Sequence, residues 1–264
     1  MKTSINEIIK NADRIVAYGC SYTAGSELMD HFHMNMTFDK CNSIKRHFAS
    51  NSKAMFKFFE SFKLSEVDYL NRQNSWAAHL SKKLNKSFEN RAEGGAGLDQ
   101  VYFKISEDLR TGKIDKTDLV VVGLMDVGRI IQFGHVSVRS ILSGWHLSDE
   151  NPHDITLIQL LNEDWLFFNY YKTLRLMLLL NDKINIMFQP MTSTQNLDKY
   201  ESLTYVRDYA DEVWQQVQPF ILSPTDVLEL RKGQSLCGFK HHPVESHIDL
   251  ADRIYLKLIS DTDV

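Results

Sequence analysis

The chain has 264 residues, 43% of them hydrophobic and 24% charged, which excludes wholesale disorder and suits one large α/β domain carrying insertions. A formal charge of -4 leaves no electrostatic footprint for nucleic acid. Twelve Gly and five Pro are too few for a collagen-like or linker-rich chain.

Four short β-rich runs punctuate the sequence. Residues 15–18 end at Gly19, residues 87–90 end near Ala92, residues 118–122 end at Gly123, and residues 184–188 end at Gln189 and Pro190. The third run is almost wholly apolar, as expected of a parallel strand covered on both faces. Phe220, Ile221 and Leu222 form a weaker fifth run. Helical spacing lies between the runs. Asn74 or Ser75 is placed to cap a helix presenting Trp76, Ala77, Leu80 and Leu84. Leu98, Val101, Tyr102, Ile105 and Leu109 mark a second helix. Residues 154–180 read as one or two buried helices, and helices over 200–217 and 248–259 complete the set. Alternating strands and helices predict a layered α/β fold around a parallel sheet.

Two stretches exceed ordinary loop lengths: 31–71, polar and aromatic-studded, and 130–152, with His135, His146 and Trp145 but no period. Both read as insertions in a single domain over 1–264, packed over one end of the sheet, where they could wall a ligand pocket.

Four segments carry residues suited to chemistry. Gly19-Cys20-Ser21-Tyr22-Thr23-Ala24-Gly25 follows the first strand, where a small Ser at a strand-to-helix turn can expose its hydroxyl. A helix cap or plain turn is the simpler reading of that window alone. Asn90-Arg91-Ala92-Glu93-Gly94-Gly95-Ala96-Gly97 follows the second strand and, taken alone, looks like a degenerate dinucleotide loop with Gln100 replacing its third glycine. Gly123-Leu124-Met125-Asp126 follows the third strand. Lys240-His241-His242-Pro243 precedes the last helix.

In this order the four segments resemble the SGNH/GDSL hydrolase superfamily, over residues 15 to 259. The wording around Ser21 is similar to a divergent branch met in phage and marine microbial genomes. The resemblance implies a three-layer α/β/α sandwich with a mainly parallel, flavodoxin-like, five-stranded sheet. It implies that Ser21 is the nucleophile, that the Ser21 and Gly95 N–H groups form the oxyanion hole, and that His242 is the general base. Two positions depart from the family pattern. Met125 stands where an oxyanion Asn is expected, and a thioether donates no hydrogen bond. Phe239 stands where an acid should orient His242, so Asp126 is the substitute acid to consider, against a simpler role capping its turn or pairing with Arg129.

Other features have simpler readings. His241, His242 and His247 with Glu245 and Asp249 are dense in metal ligands but match no familiar zinc spacing; by the resemblance, His247 is structural. Cys20, Cys41 and Cys237 include no CxxC pair, which points to a reducing compartment. Cys20 reads as a small buried residue under the turn. The stripe from Trp165 to Tyr171 reads as core with one Tyr outside, and a sugar-stacking surface is the alternative. No signal peptide or membrane span is evident, since the greasiest run, 174–180, contains Arg175. The expectation is therefore a cytoplasmic serine esterase, virion-associated if phage-encoded, without cofactor or metal, acting on a small acylated substrate such as an O-acetylated carbohydrate. Neither nucleic acid nor membrane is an expected partner. The rival is a catalytically degenerate glycan-binding or structural protein. On the hydrolase reading, Ser21 and His242 should lie within hydrogen-bond reach, and both insertions should border their pocket.

Overall fold

The computed structural model describes residues 5–25, 67–94, 96–125, 129–133, 138–142, 163–191, 204–223 and 244–260, and a few isolated positions besides. For Ile5, Asn6, Ser21, Tyr22, residues 129–133 and 138–142, and Glu163 the description is of backbone alone. In chain order the elements are α1 (Ile5–Asn11), β1 (Arg14–Tyr18), α2 (Ser21–Ala24), α3 (Asp68–Gln73), α4 (Trp76–Lys83), β2 (Ser87–Asn90), α5 (Leu98–Arg110) and β3 (Asp118–Leu124). The hairpin β4 (Arg129–Phe133) and β5 (Val138–Leu142) follows, then α6 (Glu163–Leu178), β6 (Asn185–Pro190), α7 (Thr204–Val217) and α8 (Val244–Ser260).

The main sheet has four parallel strands in the order β2-β1-β3-β6. Alternation along β1 sorts the core into two layers. Val16 and Tyr18 face Leu98, Val101 and Ile105 of α5 and the buried sides of α6 and α7. Ile15 and Ala17 face Ile9 of α1, Trp76, Ala77 and Leu80 of α4, and Leu250, Ala251 and Ile254 of α8. All seven residues of β3 are buried, as a central strand with helices on both sides requires. The architecture is the expected three-layer α/β/α sandwich with a flavodoxin-like strand order.

Several details differ from the expectation. Among the described residues the sheet has four strands, not five, and the fifth run is reduced to a single parallel bridge between Ile221 and Phe188. The cause is local. Pro219 sits in a 3-10 turn, Gln218–Phe220, that runs straight up to Ile221. The last helix begins at Val244, four residues before Ile248. The end of the first long stretch overlaps α3, and part of the second lies in the antiparallel pair β4–β5. The remainder of both stretches lies outside the described residues, as does residue 154–162 of the long helix, whose described part is α6 and a following 3-10 turn, Leu179–Asp182.

In α6 the buried side is Leu166, Phe167, Tyr170, Tyr171, Leu174 and Met177, while the outer aromatics are Trp165 and Phe168 instead of a Tyr. The chain leaves β1 for its neighbour β2 on one side and leaves β3 for β6 on the other. The carboxyl ends of β1 and β3 therefore form the topological switch point, where open α/β sheets place their ligand crevice.

Candidate active site

Ser21 opens α2 three residues beyond the end of β1, at this switch point. The turn that presents it is shaped by a close approach of three residues. Gly19 has φ +150, a conformation that side-chain-bearing residues rarely adopt, and a Cβ there would lie 2.4 Å from Thr23 Oγ1. A Cβ on Gly123, near the end of β3, would lie 1.9 Å from the same oxygen. The Thr23 side chain is thus lodged between the ends of β1 and β3, and only glycines leave it room. Its hydroxyl is wholly buried and finds no hydrogen-bond partner among the described residues; left without one, it costs about 1–3 kcal/mol of desolvation. The sequence signal for this wedge was available: a glycine inside a buried strand often marks close approach by another segment.

A single turn of helix cannot hold its own orientation, because nucleation fixes several residues for one bond. Here that bond runs from the Ala24 N–H to the Cys20 carbonyl at 2.9 Å. Cys20 is a buried free thiol beneath the turn, packed in the core with Tyr18 and Met125.

The exit of β2 is fastened beside this turn. The Arg91 N–H donates to the Ala17 carbonyl at 2.8 Å, and the Glu93 N–H donates to the Gly19 carbonyl at 3.0 Å. These bonds carry the β1–β2 pairing past the last strand residue, Asn90. The turn then closes with the Ala96 N–H on the Glu93 carbonyl at 3.2 Å. Gln100 and Lys104 of α5 hold the Glu93 carboxylate. From α3, the Arg72 guanidinium donates to the carbonyls of Asn90 and Ala92 at 2.8 and 2.7 Å. The Asn90 side chain reaches across: Nδ2 donates to the Thr23 carbonyl at 2.9 Å and to Ser75 Oγ at 3.2 Å, and Oδ1 accepts from the Ala92 N–H at 3.1 Å. Sequence reasoning missed Arg72 and Asn90, whose partners are distant along the chain.

At the start of α8, His247 is 3% exposed, and its Nδ1 accepts the Trp76 N–H at 3.0 Å. An accepting Nδ1 puts the ring proton of the neutral imidazole on Nε2. His247 therefore joins the first turns of α4 and α8. Ser75 caps α4 by accepting the Ala78 N–H at 3.4 Å, and through it α4 and β2 meet at the carboxyl end of the sheet. His242 lies two residues before α8.

The expected site residues divide accordingly. The backbone of Ser21 is at the switch point, and residues 90–94, which lead to Gly95, are bonded to its turn. Gly95, Asp126, Phe239, His241 and His242 lie outside the described residues. Met125 is wholly buried in the core and offers no donor. Among the described residues no group of three or more His, Cys, Asp or Glu side chains could hold a metal. No described helix is long and apolar enough to cross a membrane.

No protein-family model matches the chain, and neither does any curated protein. Solved structures with a similar backbone path include a member of the lipolytic protein G-D-S-L family from Veillonella parvula, at 14% identity and a TM-score of 0.46, with 94% of this chain and 98% of that one covered. A G-D-S-L family protein from Desulfitobacterium hafniense aligns at 12% identity and a TM-score of 0.46, covering 92% of this chain and 98% of the other. A carbohydrate esterase family 2 enzyme with a carbohydrate binding domain, from Corynascus thermopiles, aligns at 10% identity and 0.48, covering 95% and 67%.

Proposed function

We propose that the protein is a serine ester hydrolase of the SGNH type that removes a small acyl group, an O-acetyl on a carbohydrate being the favoured class. In this reading Ser21 Oγ attacks the ester carbonyl carbon while His242 takes its proton. The N–H groups of Ser21 and Gly95 receive the developing oxyanion. Collapse of the tetrahedral intermediate breaks the bond to the alcohol, which leaves with the proton held by His242. Water, deprotonated by His242, then attacks the acyl-enzyme and releases the acid and free Ser21. Asp126 would orient the imidazole by accepting its second N–H.

One observation carries the reading: Ser21 starts the turn at the switch point between β1 and β3, with the β2 exit hydrogen-bonded alongside. One observation favours the rival: Met125, at the place of the family's oxyanion Asn, is buried in the core. A hole with two backbone donors is weaker than one with three, and a protein that has lost the third could bind acylated glycans without hydrolysing them.

The deciding experiment compares hydrolysis of a broad panel of short-chain esters by the parent with Ser21→Ala, His242→Ala and Asp126→Asn. The hydrolase reading expects activity in the parent and its loss in the first two. Loss in Asp126→Asn by about 10²–10⁴-fold would identify the orienting acid, and retention would point to a Ser-His dyad. A parent inactive across the panel would favour the binding protein.

A further inference from the structure

We infer that Asn90 is a positioning residue that sets the distance and tilt between the turn carrying Ser21 and the turn leading to Gly95. The inference rests on the hydrolase reading for its catalytic consequence, though not for its geometry.

Three bonds define the role. Asn90 Nδ2 faces two acceptors, the Thr23 carbonyl at 2.9 Å and Ser75 Oγ at 3.2 Å, and Oδ1 faces a donor, the Ala92 N–H at 3.1 Å. Ser75 Oγ spends its single proton on the Arg72 carbonyl at 2.8 Å and accepts from Ala78, so toward Asn90 it can only accept. The amide orientation is therefore fixed, since a flipped amide would set oxygen against the Thr23 carbonyl and NH₂ against an N–H. Only a side chain with a donor on one arm and an acceptor on the other satisfies all three partners at this length. Asp would bring a carboxylate oxygen against the Thr23 carbonyl.

The two ends of this link differ in rigidity. Asn90 is held by register with Ala17, by the Arg91 and Glu93 N–H bonds into β1 and its following turn, and by Arg72 on its own carbonyl. By contrast α2 has one turn, and its Thr23 hydroxyl has no partner among the described residues. Orphan carbonyls at a helix end need an outside donor, and Asn90 supplies the one at Thr23. The better-held strand thereby fixes the weaker turn. The Ser21 N–H belongs to that turn and Gly95 belongs to the segment that Asn90 starts, so one amide governs how the two oxyanion donors converge. Misplacement of such donors acts on kcat, because they grip the transition state more than the substrate.

The test uses the full chain and two variants, Asn90→Asp and Asn90→Ala, checked for folding by thermal melts. Three quantities are read: kcat and KM on p-nitrophenyl acetate, the rate at which a fluorophosphonate labels Ser21, and deuterium uptake in peptides spanning residues 19–25. The inference expects kcat and labelling to fall by about 10- to 100-fold in folded Asn90→Asp, with KM changed less than about threefold. It expects amide exchange over α2 to quicken while that of α4 stays as in the parent. It further expects the Asp variant to regain labelling relative to the parent below about pH 5, where a protonated carboxyl can donate to the Thr23 carbonyl. A merely structural role would give no such acid recovery. Unchanged kcat and labelling with unchanged α2 exchange in a folded Asn90→Asp would overturn the inference. If the parent neither hydrolyses nor labels, the hydrolase reading fails by itself, and exchange over α2 still decides whether Asn90 holds the turn.

Discussion

The two faces of β2 do different work. On the side of α5, Glu89 and Arg91 join an ionic network: Arg14 binds Glu89 at 3.0 Å and Asp118 at 2.8 Å, and Arg91 binds Glu89 at 2.6 Å and Asp108 at 2.7 Å. The Tyr18 hydroxyl completes it on Asp108 at 2.8 Å. On the side of α4, Phe88 packs into the core and Asn90 makes neutral amide bonds to Thr23 and Ser75. Charge thus sits where the sheet ends and needs fastening, since β2 is an edge strand. The contact between the β2 exit and the Ser21 turn is instead made by a neutral amide, Asn90, although Arg72 and the Glu93–Lys104 pair brace the same exit from outside. The contrast teaches that the charged network in the described part of this protein belongs to its framework, where it fastens an edge strand.

The comparison can be broken from either side, and the wedge at the site offers the largest effect. Gly123→Ala puts a methyl into the space of Thr23 Oγ1 and close to Met191 Cγ, at 3.1 Å. It should destabilise the fold by about 3 kcal/mol in a urea melt and displace the Ser21 turn. Adding Thr23→Ala should restore most of that loss, because the two changes share one space. A simple sum of two losses would show that the conflict lies elsewhere.

On the charged face, Asp108→Asn should cost on the order of 2 kcal/mol by weakening the bonds from Arg91 and Tyr18, while leaving kcat alone. Burial acts to raise the Asp108 carboxyl, but the hydrogen bonds from Arg91 and Tyr18 and the charges of Arg91 and Lys113 outweigh it, so its pKa is held below the ordinary value. A lowered carboxyl stabilises the folded state above its unfolded pKa, about 3.9. That contribution is lost as pH falls through the folded value. The gap in stability between parent and variant should therefore be full at pH 7 and shrink below about pH 4. A constant gap down to pH 2 would remove the charge from the explanation. Smaller still, Ser75→Ala should cost about 1 kcal/mol as a lost helix cap. It should lower kcat far less than Asn90→Asp, because the bond from Asn90 to Thr23 survives it.

How much of this was legible follows from the range of the interactions. The strands at 15–18, 87–90 and 118–122 were readable because burial on a sheet leaves a local apolar pattern, and the observed strands differ at their ends by two residues at most. The order of the four chemical segments placed Ser21 at a strand exit. By contrast α3 was hidden, since Asp68, Asn71, Arg72 and Gln73 give no apolar stripe and Arg72 works through carbonyls of β2. Asn90 was legible only as a strand end. Its partner Thr23 is 67 residues away, and no local pattern announces such a bond. The fifth strand failed for the opposite reason: a short apolar run was visible, but the 3-10 turn holding Pro219 runs up to Ile221 and leaves one bridging residue among those described.

The central claim, that Ser21 is an activated nucleophile, is met most directly by incubating the parent with a fluorophosphonate and mapping the adduct by peptide mass spectrometry. The account predicts a single stoichiometric adduct on Ser21, abolished in His242→Ala. A protein that stays unlabelled, or carries its adduct on another serine, would contradict it.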